Sequence, residues 1–451
     1  MLVVISDLHL TDGSSGDTIN GTAFRVFKED LTTAITDACY RKSDSEPAPF
    51  VPIDQCDLIL NGDILDVIRT EKWRKSGGIY PWSDNTSDAF IDLVANITED
   101  ILTQNKAGLD YLKALTEGIV VYDREGREYG PIPVKIHYLV GNHDWFFHLS
   151  HPRMNGIREK IVNAMGLSND PGGVFPHRIE ERGADVIENL CETHQVYIQH
   201  GDLYDEINYD KQHGRDYSSL GDAIVVLLLN VFPAAVKTKL NLSDDDPLYL
   251  NLKEIDNVRP MAEIPSWVYG TLRRHAPGRQ FDQAIDVWND CLCQFLKNDF
   301  VKGYDKPWQL DLVDGMQAAF ALSSVLHLGT IARITDRLAP LLGDEDTYIK
   351  AAMNERWLSK QGNAPARARF VSYGHTHTPL LFPIDEVDQN GERVDQIYFN
   401  SGTWRRVHRR CERIPKEYEY TKFHVMTYLI FYKDGERNGR PYEMWTGQLG
   451  S

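Results

Sequence analysis

Residues Met1 to Leu10 read Met-Leu-Val-Val-Ile-Ser-Asp-Leu-His-Leu. The apolar run Leu2 to Ile5 predicts a short strand buried on both faces, as in parallel sheets. Asp7 and His9 follow directly, so an oxygen ligand and a nitrogen ligand stand just past the strand. Open α/β sheets bind their ligands outside the carboxyl ends of the strands. The stretch therefore predicts an α/β fold and one wall of a metal site, with the other walls expected at other strand ends.

Outward from this strand the pattern recurs. Asp57 to Leu60 predicts a second buried strand, followed by Gly62-Asp63-Ile64-Leu65-Asp66. Val134 to Val140 predicts a third, ending in Gly141-Asn142-His143-Asp144, and Val196 to Gln199 a fourth, ending in His200-Gly201-Asp202. Arg369 to Tyr373 leads to Gly374-His375-Thr376-His377, and further strands are expected over Gln396 to Phe399 and His424 to Tyr432. Helical spacing marks Phe24 to Ile35 and a single long run from Asp88 to Leu115. Between the fourth and fifth strands the signal is helical, over Ala223 to Val236, Phe281 to Tyr304 and Leu310 to Leu342. The expected organisation is a catalytic domain formed by residues 1–204 and 363–451, interrupted by a helical insertion or cap over residues 205–362.

The residues at the strand ends share one chemistry. Asp7, His9, Asp63, Asn142, His143, His200, His375 and His377 mix carboxylate, amide and imidazole donors, which suits borderline first-row divalent ions. A catalytic zinc takes about three protein ligands, so this set is too large for one ion and fits two, with one carboxylate shared. Manganese is the first expectation, with iron, zinc and nickel as alternatives. Asp66 lies three residues past Asp63 and is expected to orient a ligand histidine. His143, next to Asn142, is placed to protonate a leaving oxygen or to stabilise phosphoryl charge.

Composition bounds the partners. The formal net charge is −18, so general binding of double-stranded nucleic acid is disfavoured. The six cysteines show no Cys-x-x-Cys pair, as expected of reduced thiols. The chain opens directly on a strand with no leader-type segment, from which a cytoplasmic protein with nothing ahead of its catalytic domain is expected. The apolar run Ala223 to Val236 has 14 residues, too few to span a bilayer, and leaves peripheral membrane contact open.

Taken in order, Asp7-x-His9, Gly62-Asp63-x-x-Asp66, Gly141-Asn142-His143-Asp144, His200 and Gly374-His375-x-His377 resemble the motif series of the calcineurin-like metallophosphoesterases. Within that superfamily, Asp7-Leu8-His9-Leu10, His200-Gly201-Asp202-Leu203 and a helical insertion ahead of Gly374 are similar to the UDP-2,3-diacylglucosamine pyrophosphatase branch. The chain departs from that branch in its larger insertion and in His143, where the branch carries arginine. The resemblance implies a four-layer α/β/β/α sandwich. It also implies that Asp7, His9 and His377 hold one metal, that Asn142, His200 and His375 hold the other, and that Asp63 bridges them. Two such ions, about 3.5–4 Å apart, clamp the attacking and leaving oxygens of an in-line displacement and make a bridging hydroxide available as nucleophile.

The expected function is hydrolysis of a phosphodiester or pyrophosphate, the cap selecting the non-reacting part of a nucleotide or lipid-linked substrate. A phosphomonoesterase or nuclease on the same site, and an inactive scaffold that binds protein, are the other readings. Substrate phosphate is expected to meet Arg405 and Arg406, the first of the cations Arg405, Arg406, Arg409, Arg410 and Arg413.

Overall fold

The computed structural model describes residues 1–43, 47–304, 345–359, 366–389, 391–413 and 418–449. The chain is α/β. Its described strands are β1 (Leu2–Ile5), β2 (Cys56–Asn61), β3 (Ile119–Tyr122), β4 (Glu128–Ile132), β5 (Val134–Leu139), β6 (Val196–Ile198), β7 (Phe370–Tyr373), β8 (Pro379–Gln389), β9 (Glu392–Ser401), β10 (Arg406–Arg410), β11 (Tyr420–Phe431) and β12 (Tyr442–Gln448). One mixed sheet runs β10-β11-β1-β2-β5, with β12 also on β11. A second runs β6-β7-β9-β8. β1 pairs in parallel with β2, and β2 with β5, as β6 does with β7 and β7 with β9.

β1 lies at the centre because both of its faces are apolar. Strand side chains alternate between faces, so Val3 and Ile5 enter one core while Leu2 and Val4 enter another. The first core is built with Phe24, Phe27, Leu31 and Ile35 of helix Gly21–Ala38 and with the helix Asp88–Gln104. Asn20 and Ser87 cap these two helices by accepting from the amides of Thr22 and Phe90. The second core joins the sheets: Leu2, Val4, Ile59 and Phe431 pack with Ile198, Phe370, Val371 and Phe399.

Three differences from the sequence reading have local causes. The run from Asp88 to Leu115 is two helices, Asp88–Gln104 and Lys106–Leu115. Buried Asn105 breaks it, because its side-chain amide donates to the carbonyls of Thr11 and Ile101. The hairpin β8–β9 extends far beyond the apolar core into solvent, where its alternation carries little hydrophobic signal. The apolar run at Ala223 lies within a helix of 21 residues, Leu220–Leu240, that is long and apolar enough to cross a membrane, although its most apolar window is 72% buried in the protein. A π-turn over Val225–Leu229 lets the Asn230 amide donate to Val225 and turns the Asn230 side chain onto Arg69 and the carbonyl of Ile68.

The block from residue 205 is fused to the rest of the fold. Its residues Ala223, Leu229, Phe232, Leu252, Val258 and Trp288 belong to the same core as β1. Val258 also bridges to His408 of β10. The expected helix over Leu310 to Leu342 and the boundary near residue 362 lie outside the described residues.

Phe27 is fully buried, with its ring centroid 5.1 Å from that of Trp404 and 5.5 Å from that of Tyr428. Phe27→Ala should lower unfolding stability by about 3–5 kcal/mol, read as a reduced midpoint in urea denaturation.

Candidate metal centre

The carboxyl ends of β1, β2, β5, β6 and β7 meet at one edge of the two sheets. Backbone and side-chain bonds lock them there. The amides of Asp7 and His9 donate to the carbonyls of Gly62 (3.1 Å) and Asp63 (2.8 Å). Asn61 Nδ2 donates to the Gln199 carbonyl across the sheets at 3.0 Å. The His375 amide donates to the Asp7 carboxylate at 3.0 Å, and Thr403 Oγ1 donates to the Asp7 carbonyl at 2.5 Å.

This convergence strains the backbone where the ligand candidates sit. Ten non-glycine residues among those described have positive φ, and Asp7, His9, Asp63, His375 and His377 are five of them. Such conformations cost of order 1 kcal/mol or more each and gather at functional sites. Close approach explains the glycine of two motifs. A Cβ on Gly141 would overlap Asp63 and His200, and one on Gly374 would overlap Asp7 and Ser6.

Three three-residue groups result among the described residues, each with its ligand atoms within 4.8 Å of one another: Asp7, His9 and His377; Asp63, His200 and His375; and His9, Asp63 and His143, which shares one residue with each of the others. In the first, His9 Nε2 lies 2.9 Å from His377 Nε2, and His377 Nε2 lies 3.3 Å from Asp7 Oδ1. In the second, His200 Nε2 lies 3.2 Å from Asp63 Oδ2 and 3.2 Å from Asn142 Oδ1. The first two groups meet at Asp63. Asp63 Oδ2 is also 3.6 Å from His9 Nε2, so a single carboxylate oxygen reaches both.

The outer nitrogens of His200, His9 and His143 are already committed. His200 Nδ1 donates to the Asn61 carbonyl at 2.9 Å, so Nε2 is the nitrogen turned toward Asp63 and Asn142. Asp66 takes His9 Nδ1 at 3.0 Å and His143 Nδ1 at 2.8 Å. Asp66 thus orients two imidazoles, one in the first group and one at the cavity wall. Carboxylate-fixed histidines of this kind are the usual surroundings of a metal.

Charge balance points the same way. Asp7, Asp63 and Asp66 are all buried. Burial alone would raise their pKa, but the neighbouring histidines hold all three well below the ordinary carboxylate range. Burial lowers His143, yet Asp66 and Asp63 outweigh it and hold the imidazole up at about 10. Burial and the Arg259 guanidinium keep His377 well below the usual histidine value. Facing nitrogens such as His9 Nε2 and His377 Nε2 need a proton or a cation between them. The mixed N/O donor set fits first-row divalent ions.

Arg405 and Arg406, expected to meet phosphate, stand elsewhere. Neither lines the cavity over the centre. Arg405 is buried, donating to Asp256 at 3.2 Å and lying 3.9 Å from Asp66. Arg406 is exposed on β10. It shares the strand face of His408, two residues on, and both meet Glu254 (3.8 Å for Arg406). Asp144 and Asp202 are structural. Asp144 accepts from the amides of Gly141 and Ile64, and Asp202 is paired with His177 and Arg215.

Four residues of the 205–362 block enter the centre without having been singled out from the sequence. Asp205 Oδ2 lies 3.2 Å from His375 Nε2, and Asn208 joins Asp205 to Asn142. Asp256 holds Arg405, and Arg259 Nη2 lies 3.3 Å from His377 Nε2. Asp205, five residues past His200, carried a readable signal as an acid close to a ligand. Arg259 carried none. A cavity of 720 Å³ opens over Asp63, Asn142, His143, His375 and His377. It runs past Arg259 and Met261 toward Arg409 and Phe423.

The chain matches no protein-family model, no curated protein and no solved structure.

The sequence expectation of two ions sharing Asp63 sets an order among variants. On that expectation Asp63→Asn weakens manganese at both positions, whereas Asp7→Asn weakens one and leaves about one equivalent bound. Elemental analysis after dialysis against sub-stoichiometric chelator checks this, and equal losses from the two variants would contradict the sharing.

Proposed function

We propose that the protein is a two-metal phosphoesterase of the calcineurin-like kind, hydrolysing a phosphodiester or pyrophosphate whose non-reacting part lies in the cavity beneath the helical block. The observation that carries this reading is the position of Asp63 Oδ2, 3.2 Å from His200 Nε2 and 3.6 Å from His9 Nε2, between two His/Asp groups. The ordered motif series supports it, as does the shared core between two sheets, which we read as the centre of an α/β/β/α sandwich. Asp7, His9 and His377 would hold one ion and Asn142, His200 and His375 the other, with manganese the first choice. Bound there, the ions would supply Lewis-acid charge and a nucleophile available near neutral pH.

The chain's own residues do the rest. His143 lines the cavity, and with Nδ1 tied to Asp66 its Nε2 is the nitrogen free to act. As the oxygen of a water joins phosphorus, giving up one proton to solvent, and the bond to the leaving group breaks, the proton on His143 Nε2 passes to the leaving oxygen and is restored from solvent afterwards. Asp66 holds the imidazolium in place and offsets its charge. The cavity falls within the range of about 300–1,000 Å³ that suits a small-molecule ligand, which favours a substrate with a bulky organic part over a bare phosphate.

Turnover of bis(p-nitrophenyl) phosphate should exceed that of p-nitrophenyl phosphate in the manganese-loaded protein. The opposite order would make it a monoesterase. No turnover of either with manganese, iron, zinc or nickel, singly or paired, would sink the enzyme reading and leave a scaffold. His143→Ala should retain both equivalents of metal and lose about 10²-fold or more in turnover; parallel loss of metal would show it to be a ligand.

A further inference from the structure

Arg259 belongs to the helical block, yet its guanidinium stands at the metal centre. Nη1 donates to the carbonyls of Asp256 (2.7 Å) and Val258 (2.9 Å), which fixes the plane of the group. Nη2 reaches the first ligand group, 3.3 Å from His377 Nε2, and the side chain lines the cavity. Asp256, the carboxylate whose charge acts on it most, is shared. Arg405 Nη1 is 3.2 Å from it, and Arg69 Nε is 3.8 Å from it. Asp256 is therefore not free to neutralise Arg259 alone.

A guanidinium beside two divalent cations is repelled by them unless an anion lies between. It is also the group best shaped to grip two phosphate oxygens at once. We propose that Arg259 is a substrate-binding residue, delivered by the helical block to the non-bridging oxygens of the phosphoryl group that the metal centre holds. The assignment rests on the two-metal reading above. It replaces Arg405 and Arg406 in that role. Arg405 is left to hold Asp256, which packs behind Arg259, and Arg406 is left to pair with Glu254.

The role makes the block more than a cover. The backbone carbonyls that orient Arg259 belong to Asp256 and Val258, and Val258 is bridged to His408 of β10. Arg259 is thereby registered against the sheet that carries Asp7 and Asp63. Substrate phosphate would meet cations from the strand ends on one side and a guanidinium from the block on the other.

Inorganic phosphate is the probe. Its affinity for the manganese-loaded full chain is measured by calorimetry for wild type, Arg259→Ala and Arg259→Lys, with metal content determined on the same samples. The expected result is wild-type metal content in both variants, phosphate affinity about 10-fold or more weaker in Arg259→Ala, and an intermediate loss in Arg259→Lys. Unchanged phosphate affinity in Arg259→Ala overturns the assignment. So does a loss of phosphate that merely tracks a loss of manganese, because Arg259 would then serve the metal ligands. If Arg259→Ala does not fold, Arg259→Lys decides alone: affinity equal to wild type overturns the proposal. Wild-type protein that takes up neither manganese nor iron, zinc or nickel defeats the two-metal reading itself, and this inference with it. Manganese uptake with no effect of Arg259 on phosphate defeats only the inference.

Discussion

A buried carboxylate between two sets of imidazoles is the constraint on which the rest of the molecule depends. Asp63 is almost wholly inaccessible to water, and an ionised carboxylate in such a place is costly unless opposite charge surrounds it. The fold supplies that surrounding by bringing five strand ends to one edge. It holds Asp7, His9, Asp63, His375 and His377 in left-handed backbone conformations to aim them inward. The glycines at 141 and 374 are what such close approach requires. Conformational strain, buried charge and crowding are each unfavourable alone. Together, on the proposed two-metal reading, they become mutually consistent, as expected where structure serves chemistry rather than stability.

On the proposed reading, the helical block would change what the centre recognises. In a sheet-edge site the strand ends supply ligands, but discrimination among substrates depends on what stands opposite them. Here Asp205, Asp256 and Arg259 come from the block and face His375, Arg405 and His377. The block shares a hydrophobic core with β1 through residues such as Phe232 and Leu252, so it is packed into the fold rather than hinged on its surface. Its apolar helix Leu220–Leu240 is consistent with this, most of its apolar face being spent inside the protein.

Much of this was legible in the sequence, for identifiable reasons. β1 could be read because a strand buried on both faces is an uninterrupted apolar run, and the candidate ligands could be brought to one edge on paper because each follows such a run directly. Asp66 could be placed because it lies on the same loop as Asp63 and bonds the imidazoles beside it. What failed depended on register and on distant contacts. Whether Arg405 or Arg406 faces the cavity depends on which strand face β10 turns toward Glu254, and nothing local specifies that. The break at Asn105 depends on a hydrogen bond to Thr11, 94 residues away. Arg259 lies 118 residues from His377, in a stretch with no motif around it. The hairpin β8–β9 is polar and solvated, so hydrophobic periodicity had nothing to report.

The central claim is that two cations share Asp63, and anomalous diffraction at the manganese edge from crystals grown with manganese tests it most directly. The account predicts two peaks, one among Asp7, His9 and His377 and the other among Asn142, His200 and His375, with the Asp63 carboxylate ligating both. A single peak, peaks away from these residues, or an Asp63 carboxylate that touches only one ion would contradict it.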